Sequence, residues 1–576
     1  MNNKVFHNII FEHLNNIYSY ILSPKEINDL TFEVIKLSTN RKVKKNKFLT
    51  QEDIILVTYA DTIIENNKSS FFVLNKFLKK YIKNIFSTIH ILPFFPSSSD
   101  GGFSVIDFFL VDKKHGSWND IKKMSADYKI MVDVVLNHGS KKSKWFKNFL
   151  NNKGEGKNFY LNFDKNINVS NVVRARSHKL LQKVSTENGF KYVWCTFSTD
   201  QVDFDYRNPK VLLMFLKIIK FILAKGPIVF RMDAVAFLWK RIGSSCVNLD
   251  QTHAIIRLIR AFLSKLNSNS LIVTETNLPF HENLSYFGNS DEAHLIYNFS
   301  LAPLIINTLI KGDSTAFRRW SMSMPPSRIG ASYVNFISNH DGLGIRPLEG
   351  ILNKKDLNLF LDTLKKFGSK FTFRKYKNTS VVYEANISLV NALSGTIKGK
   401  DKYAFKRYIC AHSIMLSYEG IPAIYIHSLF GTKNDNLLYK KTNIKRSINR
   451  HIYSYMNLEK ELKSNNSDLN KVFNNLLELI KIRKKQKAFH PNATQYTLNL
   501  GKRFFGLWRQ SNDKQQSIFA ISNISNMITY LDLTSLNLIN TENWFDILSQ
   551  GNTKIESKNN KLKFLPYQTI WITNYK

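Results

Sequence analysis

Three cysteines, Cys195, Cys246 and Cys410, are all that 576 residues contain. Their spacing matches neither a metal knuckle nor a disulfide framework, and free thiols at this density fit a reducing compartment, so the cytoplasm is the expected location. No stretch approaches about 18 uninterrupted apolar residues, which excludes a helical membrane span. The N-terminus, "MNNKVFHNIIFEHLNN", has neither a continuous apolar region nor a small-residue cleavage pattern, and so does not read as a secretory signal. No repeat of about 20–50 residues is visible. Acidic residues are scarce: 44 Asp and Glu stand against 82 Lys and Arg, a net charge of +38. That excess suggests nucleic acid, but the lysines are dispersed and no zinc-finger, RNP or helix-turn-helix signature is present. The two local clusters, "RKVKKNK" (41–47) and "KIRKKQK" (481–487), are short. The second continues an amphipathic helical pattern and reads as a solvated face. The expectation is no nucleic-acid partner and no membrane.

What is present is an alternation. "DIILVTYAD" (53–61), "TIHILPFFP" (88–96), "KIMVDVVLNH" (129–138), "PIVFRMDAV" (227–235), "LIVTETN" (271–277) and "YVNFISNHD" (333–341) read as strands. Helical patterns lie between them. "PKVLLMFLKIIKFILAKG" (209–226) starts at Pro209 after Asn208 and stops at Gly226, which are start and stop signals. "QTHAIIRLIRAFLSKL" (251–266) is a second. Near-continuous apolar strands separated by helices predict a parallel α/β sheet, and the number of units predicts a (β/α)8 TIM barrel with insertions. The expected division is an N-terminal helical segment (1–50) and a catalytic barrel in two parts (51–145 and 196–494). A polar, irregular inserted subdomain (146–195) separates the two parts, a further insertion lies near 345–400, and a C-terminal antiparallel β domain (495–576) follows. The last rests on short alternating runs such as "RFFGLWRQ" and "YQTIWIT".

Four strands end in charged or polar residues: Asp133, Asn137 and His138; Arg231 and Asp233; Glu275; His340 and Asp341. Residues i and i+2 of a strand share a face, so Arg231 and Asp233 point the same way. A single such group is most simply a satisfied core residue. Four strands delivering them to one rim of a barrel, the C-terminal rim where barrel enzymes build their sites, argue for chemistry, because unpaired buried charge is expensive. There is no G-x-S-x-G, no phosphate-binding P-loop and no histidine-rich metal spacing. A carboxylate pair suits retaining glycosyl transfer, with one group attacking the anomeric carbon and the other protonating the leaving oxygen. The acid needs a raised pKa, and Arg231 would keep its neighbour Asp233 ionised.

"DVVLNH", "FRMDAVAF", "TETN" and "NHDG" resemble the four conserved regions of the α-amylase superfamily. "ILPFFPSSSDGGFSVIDFF", "CTFSTDQVDFDYRNPKVL", "ENLSYFGNSDEAHLIYNFSLAPL" and "NHDGLGIRPLEG" narrow the resemblance to its sucrose phosphorylase group. The resemblance implies a nucleophile at Asp233, an acid/base at Glu275 and a transition-state stabiliser at Asp341. It implies a sugar clamp from Asp100 and Arg450, sugar hydrogen bonds from His138 and His340, an apolar wall from Phe103, a substrate-side amide at Gln201, and orientation of Asp233 by Arg231. It also implies inorganic phosphate as co-substrate, with no metal and no organic cofactor. "VVRARSHKLL" (172–181) is similar to the group's phosphate loop, with Arg176 as the phosphate contact, but Ala175 replaces the group's proline and Arg174 and Arg176 can equally be solvated loop charges. On the acceptor side, Arg346 either meets an anionic acceptor such as glycerate or pairs with Glu349. The implied activity is reversible, retaining phosphorolysis of sucrose. The alternatives are glucosylglycerate or glucosylglycerol as donor, a hydrolase or transglucosidase of the same fold, and a non-catalytic nucleic-acid binder.

Overall fold

The computed structural model describes residues 3–38, 49–376, 379–536, 543–549, 553–555 and 561–575. The basic run 41–47 lies outside them. Eight short strands pair in parallel and close on themselves: β1 (Ile55–Thr58), β2 (Thr88–Ile91), β3 (Lys129–Val135), β4 (Val229–Asp233), β5 (Leu271–Thr274), β6 (Leu295–Tyr297), β7 (Ser332–Asn335) and β8 (Ile421–Tyr425). Each pairs with its neighbours in chain order, and β8 returns to β1. Apart from Lys129 at the start of β3, every barrel-strand residue is buried. That explains the near-continuous apolar runs: a strand enclosed by side chains within and helices without has no wet face to mark with polar residues.

The sequence marks six of these strands. β6 has only three residues, and β8 carries Pro422 in register with Asn335, where a proline argues against a strand assignment. The two helices expected between strands form at Pro209–Ala224 and Asp250–Leu266. The Asn208 side chain caps the first by accepting from the Lys210 amide, as the order of Asn, Pro and apolar run predicts. Two helices, Asn3–Tyr18 and Pro24–Leu37, pack at the N-terminal end, and the phenol of Tyr18 reaches the Tyr206 carbonyl at 3.0 Å.

The polar stretch between β3 and β4 is more regular than its composition suggests. It opens as a helix, Lys144–Leu150, and continues as a three-stranded antiparallel sheet of Asn162–Phe163, Leu181–Thr186 and Gly189–Trp194. Leu181–Thr186 alternates inward and outward residues over a small separate core of Leu161, Leu180, Trp194 and Cys246. Lys183 and Ser185 are the outward residues of that alternation. A second antiparallel hairpin, Lys370–Tyr376 with Thr379–Asn386, follows β7. After the helix Asp468–Lys484 the chain forms an antiparallel sheet beginning with Thr494–Leu498, Phe504–Gln510 and Ser517–Asn523 and including Thr569–Thr573. Residues such as Phe504, Phe519, Phe564 and Ile572 give it a core of its own.

In the cluster 481–487, Lys481, Lys485 and Lys487 are exposed, as expected of a solvated face, and Arg483 is the exception. Arg483 is fully buried and donates to the carbonyls of Leu416 (2.8 Å), Gln51 (2.6 Å), Phe489 (3.2 Å) and Gly420 (3.3 Å). Its five-donor fork satisfies carbonyls at the end of the barrel that a lysine would leave unpaired.

Candidate active site

The charges flagged at the strand ends form one connected set. Arg231 of β4 is in register with Asp133 of β3, and its guanidinium donates to Asp133 and, at 2.7 Å, to Asp233. Its other terminal nitrogen lies 3.9 Å from Glu275. One buried guanidinium therefore stands between the two carboxyl groups expected to do chemistry. Asp133 is held from the other side by His90 at 2.8 Å. Burial works against its charge, but Arg231 and His90 outweigh burial and keep it below the usual carboxylate range. Glu275 follows β5 directly and accepts a 3.0 Å hydrogen bond from the amide of Ala234. Ala234 reaches that position with φ at +53°, a left-handed conformation that costs a non-glycine residue on the order of 1 kcal/mol. Local strain beside Asp233 thus aims a backbone donor at Glu275.

Burial pushes both Asp233 and Glu275 upward, and the charge on Glu275 raises Asp233 further. Arg231 opposes this at both residues. Its hydrogen bond to Asp233 is far closer than its approach to Glu275, so a proton retained by the pair sits better on Glu275 and the charge on Asp233.

Asp341 closes the third side. It lies beyond β7 on a turn held by Asn339, whose side-chain oxygen accepts from the amides of Asp341 (3.0 Å) and Gly342 (2.8 Å). Burial opposes its charge, but Arg446, His340 and Arg450 together hold Asp341 well below the usual range. Burial leaves His138 and His340 neutral, with pKa values lowered to about 4 and about 3. His340 stacks flat on Phe103, with centroids 5.4 Å apart and planes 7° apart, and neither of its ring nitrogens has a hydrogen-bond partner.

Asp100 sits on the turn Asp100-Gly101-Gly102, all three with positive φ. A Cβ on Gly102 would stand 2.5 Å from the Pro93 carbonyl oxygen, and one on Gly101 would stand 2.3 Å from an Arg450 nitrogen, so the two glycines are a steric requirement. Asp200 anchors this loop by accepting from the hydroxyls of Ser98, Ser99 and Ser104. Gln201 then reaches both Asp100 (3.3 Å) and His138 (3.1 Å). Buried Lys240 bonds Asn137 and Asp203, each at 2.7 Å, and ties the end of β3 to the return strand of the inserted subdomain.

One cavity receives Asp233, Glu275, Asp341, Asp100, Phe103, His138, Gln201 and Arg176. Arg231 and His340 stand behind its wall. Arg450 stands behind the cavity wall: its Nε donates to the His340 carbonyl at 2.9 Å, a terminal nitrogen lies 3.4 Å from Asp341, and its guanidinium lies 5.3 Å over Tyr59. The guanidinium that lines the cavity is Arg446, four residues earlier, 2.8 Å from Asp341. Arg346 does not pair with Glu349, because Arg374 does so at 2.6 Å. The Arg346 Nε is buried without a partner. Tyr383 and Glu384 of the second hairpin, together with Asn277, also line the cavity. Asn277 lies within the flagged "TETN", but nothing local distinguishes Tyr383 and Glu384, which reach the site because the inserted hairpin folds back, or Arg446, which arrives on a turn in the segment after β8. Among the described residues no group of three or more His, Cys, Asp or Glu is arranged to hold a metal ion, and no helix is long and apolar enough to cross a membrane.

Residues 76–345 match the α-amylase catalytic-domain family model. Glucosylglycerate phosphorylase of Spirochaeta thermophila is 35% identical, with 92% of this chain and 91% of the relative covered. Glucosylglycerate phosphorylase of Escherichia coli is 33% identical over 98% and 99% of the two chains. The crystal structure of sucrose 6F-phosphate phosphorylase from Thermoanaerobacter thermosaccharolyticum superposes with a TM-score of 0.73 at 24% identity, covering 92% of this chain and 99% of that one. The chain belongs to the sucrose phosphorylase group of the α-amylase family and is an α-glucoside phosphorylase of that type.

Proposed function

We propose that the enzyme carries out retaining phosphorolysis of an α-glucoside with a carboxylated aglycone, glucosylglycerate, to α-glucose 1-phosphate and glycerate. The observation that carries the mechanism is the single buried guanidinium of Arg231 set between Asp233 and Glu275 in one cavity. In the first displacement an oxygen of Asp233 forms a bond to the anomeric carbon. The glycosidic C–O bond breaks, and the proton of Glu275 moves to the departing oxygen. In the second, a phosphate oxygen attacks the same carbon, its proton passes to Glu275, and Asp233 leaves. Two inversions give net retention. Asp341, Asp100, His138 and Gln201 suit the ring hydroxyls, and Phe103 suits the apolar face.

The acceptor half supports the choice of donor. Arg176 lines the cavity with its guanidinium 5.2 Å from the Tyr383 ring, and its own side chain donates only to the adjacent Ala175 carbonyl. The charge of Arg346 also acts on Tyr383. Two guanidinium groups without carboxylate partners, Arg176 in the cavity wall and Arg346 outside it, suit two anions, phosphate and the carboxylate of the acceptor. Both curated relatives reported above are named for glucosylglycerate. Phosphate serves as co-substrate with no metal or organic cofactor. The three free, buried cysteines suit the cytoplasm.

The test is to incubate the purified protein with glucosylglycerate, sucrose or glucosylglycerol, with and without phosphate. α-Glucose 1-phosphate is expected to appear only with phosphate and fastest from glucosylglycerate. Free glucose released at the same rate without phosphate would identify a hydrolase instead.

A further inference from the structure

Arg446 lies in none of the strand-end motifs, yet its guanidinium joins both halves of the cavity. It sits on a 3-10 turn, Lys445–Asn449, and its side chain is 16% exposed. One terminal nitrogen is 2.8 Å from Asp341 and 3.4 Å from Asp100. The other is 2.9 Å from Glu384, whose second oxygen takes the Arg446 Nε at 3.2 Å. Asp341 and Asp100 come from the barrel loops, whereas Glu384 comes from the inserted hairpin. That hairpin also rests on the Asp341 loop itself. Asn386 donates to the Asp341 carbonyl at 2.6 Å, and Leu343 and Gly344 pair with Ala385 and Glu384. A Cβ on Gly342 would stand 2.9 Å from the Ala385 carbonyl oxygen.

We propose that Arg446 is the positioning residue that locks Asp341 and Asp100 together as one clamp on the donor ring, and that Glu384 fixes where its guanidinium stands. The proposal rests on the glucosyl-transfer reading of the cavity. Two carboxylates that share a small space repel unless a cation stands between them. Arg450 also reaches Asp341, at 3.4 Å, but it makes no hydrogen bond to Asp100 or Glu384; Arg446 contacts all three. The bidentate contact with Glu384 fixes the plane of the fork as well as its position. The hairpin that supplies Tyr383 to the acceptor half thereby sets the alignment of the donor half.

The test uses α-glucosyl fluoride: Asp233 forms its bond to the anomeric carbon as fluoride leaves, with no acid required, and phosphate at a fixed concentration then takes the glucosyl group and frees Asp233, so that kcat/KM for the fluoride reports the first displacement. Fluoride release is measured for Arg446→Ala, Arg446→Lys and Glu384→Gln in the full chain. Arg446→Ala is expected to lose about 10²-fold in kcat/KM, mostly in kcat. Arg446→Lys should recover part of that loss, and millimolar guanidinium ion should restore Arg446→Ala in a saturable way. Glu384→Gln is expected to lose about tenfold, because a neutral amide still accepts from Arg446 but no longer carries the charge that fixes it. A folded Arg446→Ala within threefold of the parent, or one that guanidinium does not rescue, overturns the proposal. If Arg446→Ala does not fold, the lysine and glutamine variants decide, and parental kcat/KM in both overturns it. Free glucose released by the parent chain from glucosylglycerate at the same rate without phosphate would sink the phosphorylase reading while leaving these fluoride ratios to judge Arg446.

Discussion

The two halves of the cavity handle charge in opposite ways. In the donor half these carboxyl groups have a protein partner: Asp133, Asp233 and Glu275 share Arg231, while Asp341 and Asp100 share Arg446. Of the two arginines proposed for the acceptor side, Arg176 lines the cavity and Arg346 does not; neither has a carboxylate partner among the described residues, and the Arg346 Nε has no hydrogen bond. A site that binds a neutral glucosyl ring gains by neutralising itself in advance, since its charges are then preorganised and cost nothing to reorganise during reaction. A site that binds anions gains by leaving cations unsatisfied until the ligand arrives. The difference supports a neutral donor ring on one side and anionic partners on the other.

Breaking the donor half should have the largest effect. Asp233→Asn and Glu275→Gln are each expected to lower kcat for phosphorolysis by roughly 10⁴-fold with the unfolding midpoint retained; near-parental turnover in either would reassign its role. Breaking the acceptor half should be selective. Arg176→Ala is expected to raise the KM for phosphate by about 10²-fold, a charge-assisted pair being worth about 1.5–3 kcal/mol, and to leave kcat/KM for α-glucosyl fluoride intact. An equal loss in both assays would place Arg176 in the donor half.

Arg346→Ala should cost glucosylglycerate about 10- to 100-fold while sparing glucosylglycerol, which lacks the carboxylate. If both donors fall together, Arg346 does not read the acceptor's charge. The pH profile sharpens the comparison with the smallest change. Burial raises the pKa of Glu275, so the acid remains protonated above the usual carboxylate range, and kcat/KM falls as pH rises through that raised value. With α-glucosyl fluoride, which needs no acid, that basic limb should vanish; its persistence would assign the limb to another group.

Legibility in the sequence followed the same division. The donor half stood in short motifs, because a barrel strand delivers its last residues to one rim whatever surrounds it. Arg231 and Asp233 two apart, Glu275 after an apolar run and Asp341 after Asn339 needed only strand periodicity and the resemblance to be singled out. Asp100 was singled out by the resemblance alone. Arg450 was singled out and Arg446 was missed, because two arginines four apart on a tight turn look alike until the fold sets Arg446 2.8 Å and Arg450 3.4 Å from Asp341. Arg346 was left between two partners, and the choice fell to Arg374, a strand residue 25 positions further from Glu349. Arg483 looked like one more surface cation because a basic run does not show which member faces the barrel.

By itself the sequence determined what is periodic or local: parallel strands buried on both faces, the rim that gathers carboxylates, the strained turns that require glycine, and the kind of chemistry those groups can perform. The tertiary structure alone decided what depends on distant chain segments meeting. It brought the hairpin 370–386 over the Asp341 loop, set Arg446 closer than Arg450 to Asp341, and left Arg176 and Arg346 without counter-ions. Charge pairing inside a protein is settled by three-dimensional distance and desolvation, and neither is written in the spacing of residues along the chain.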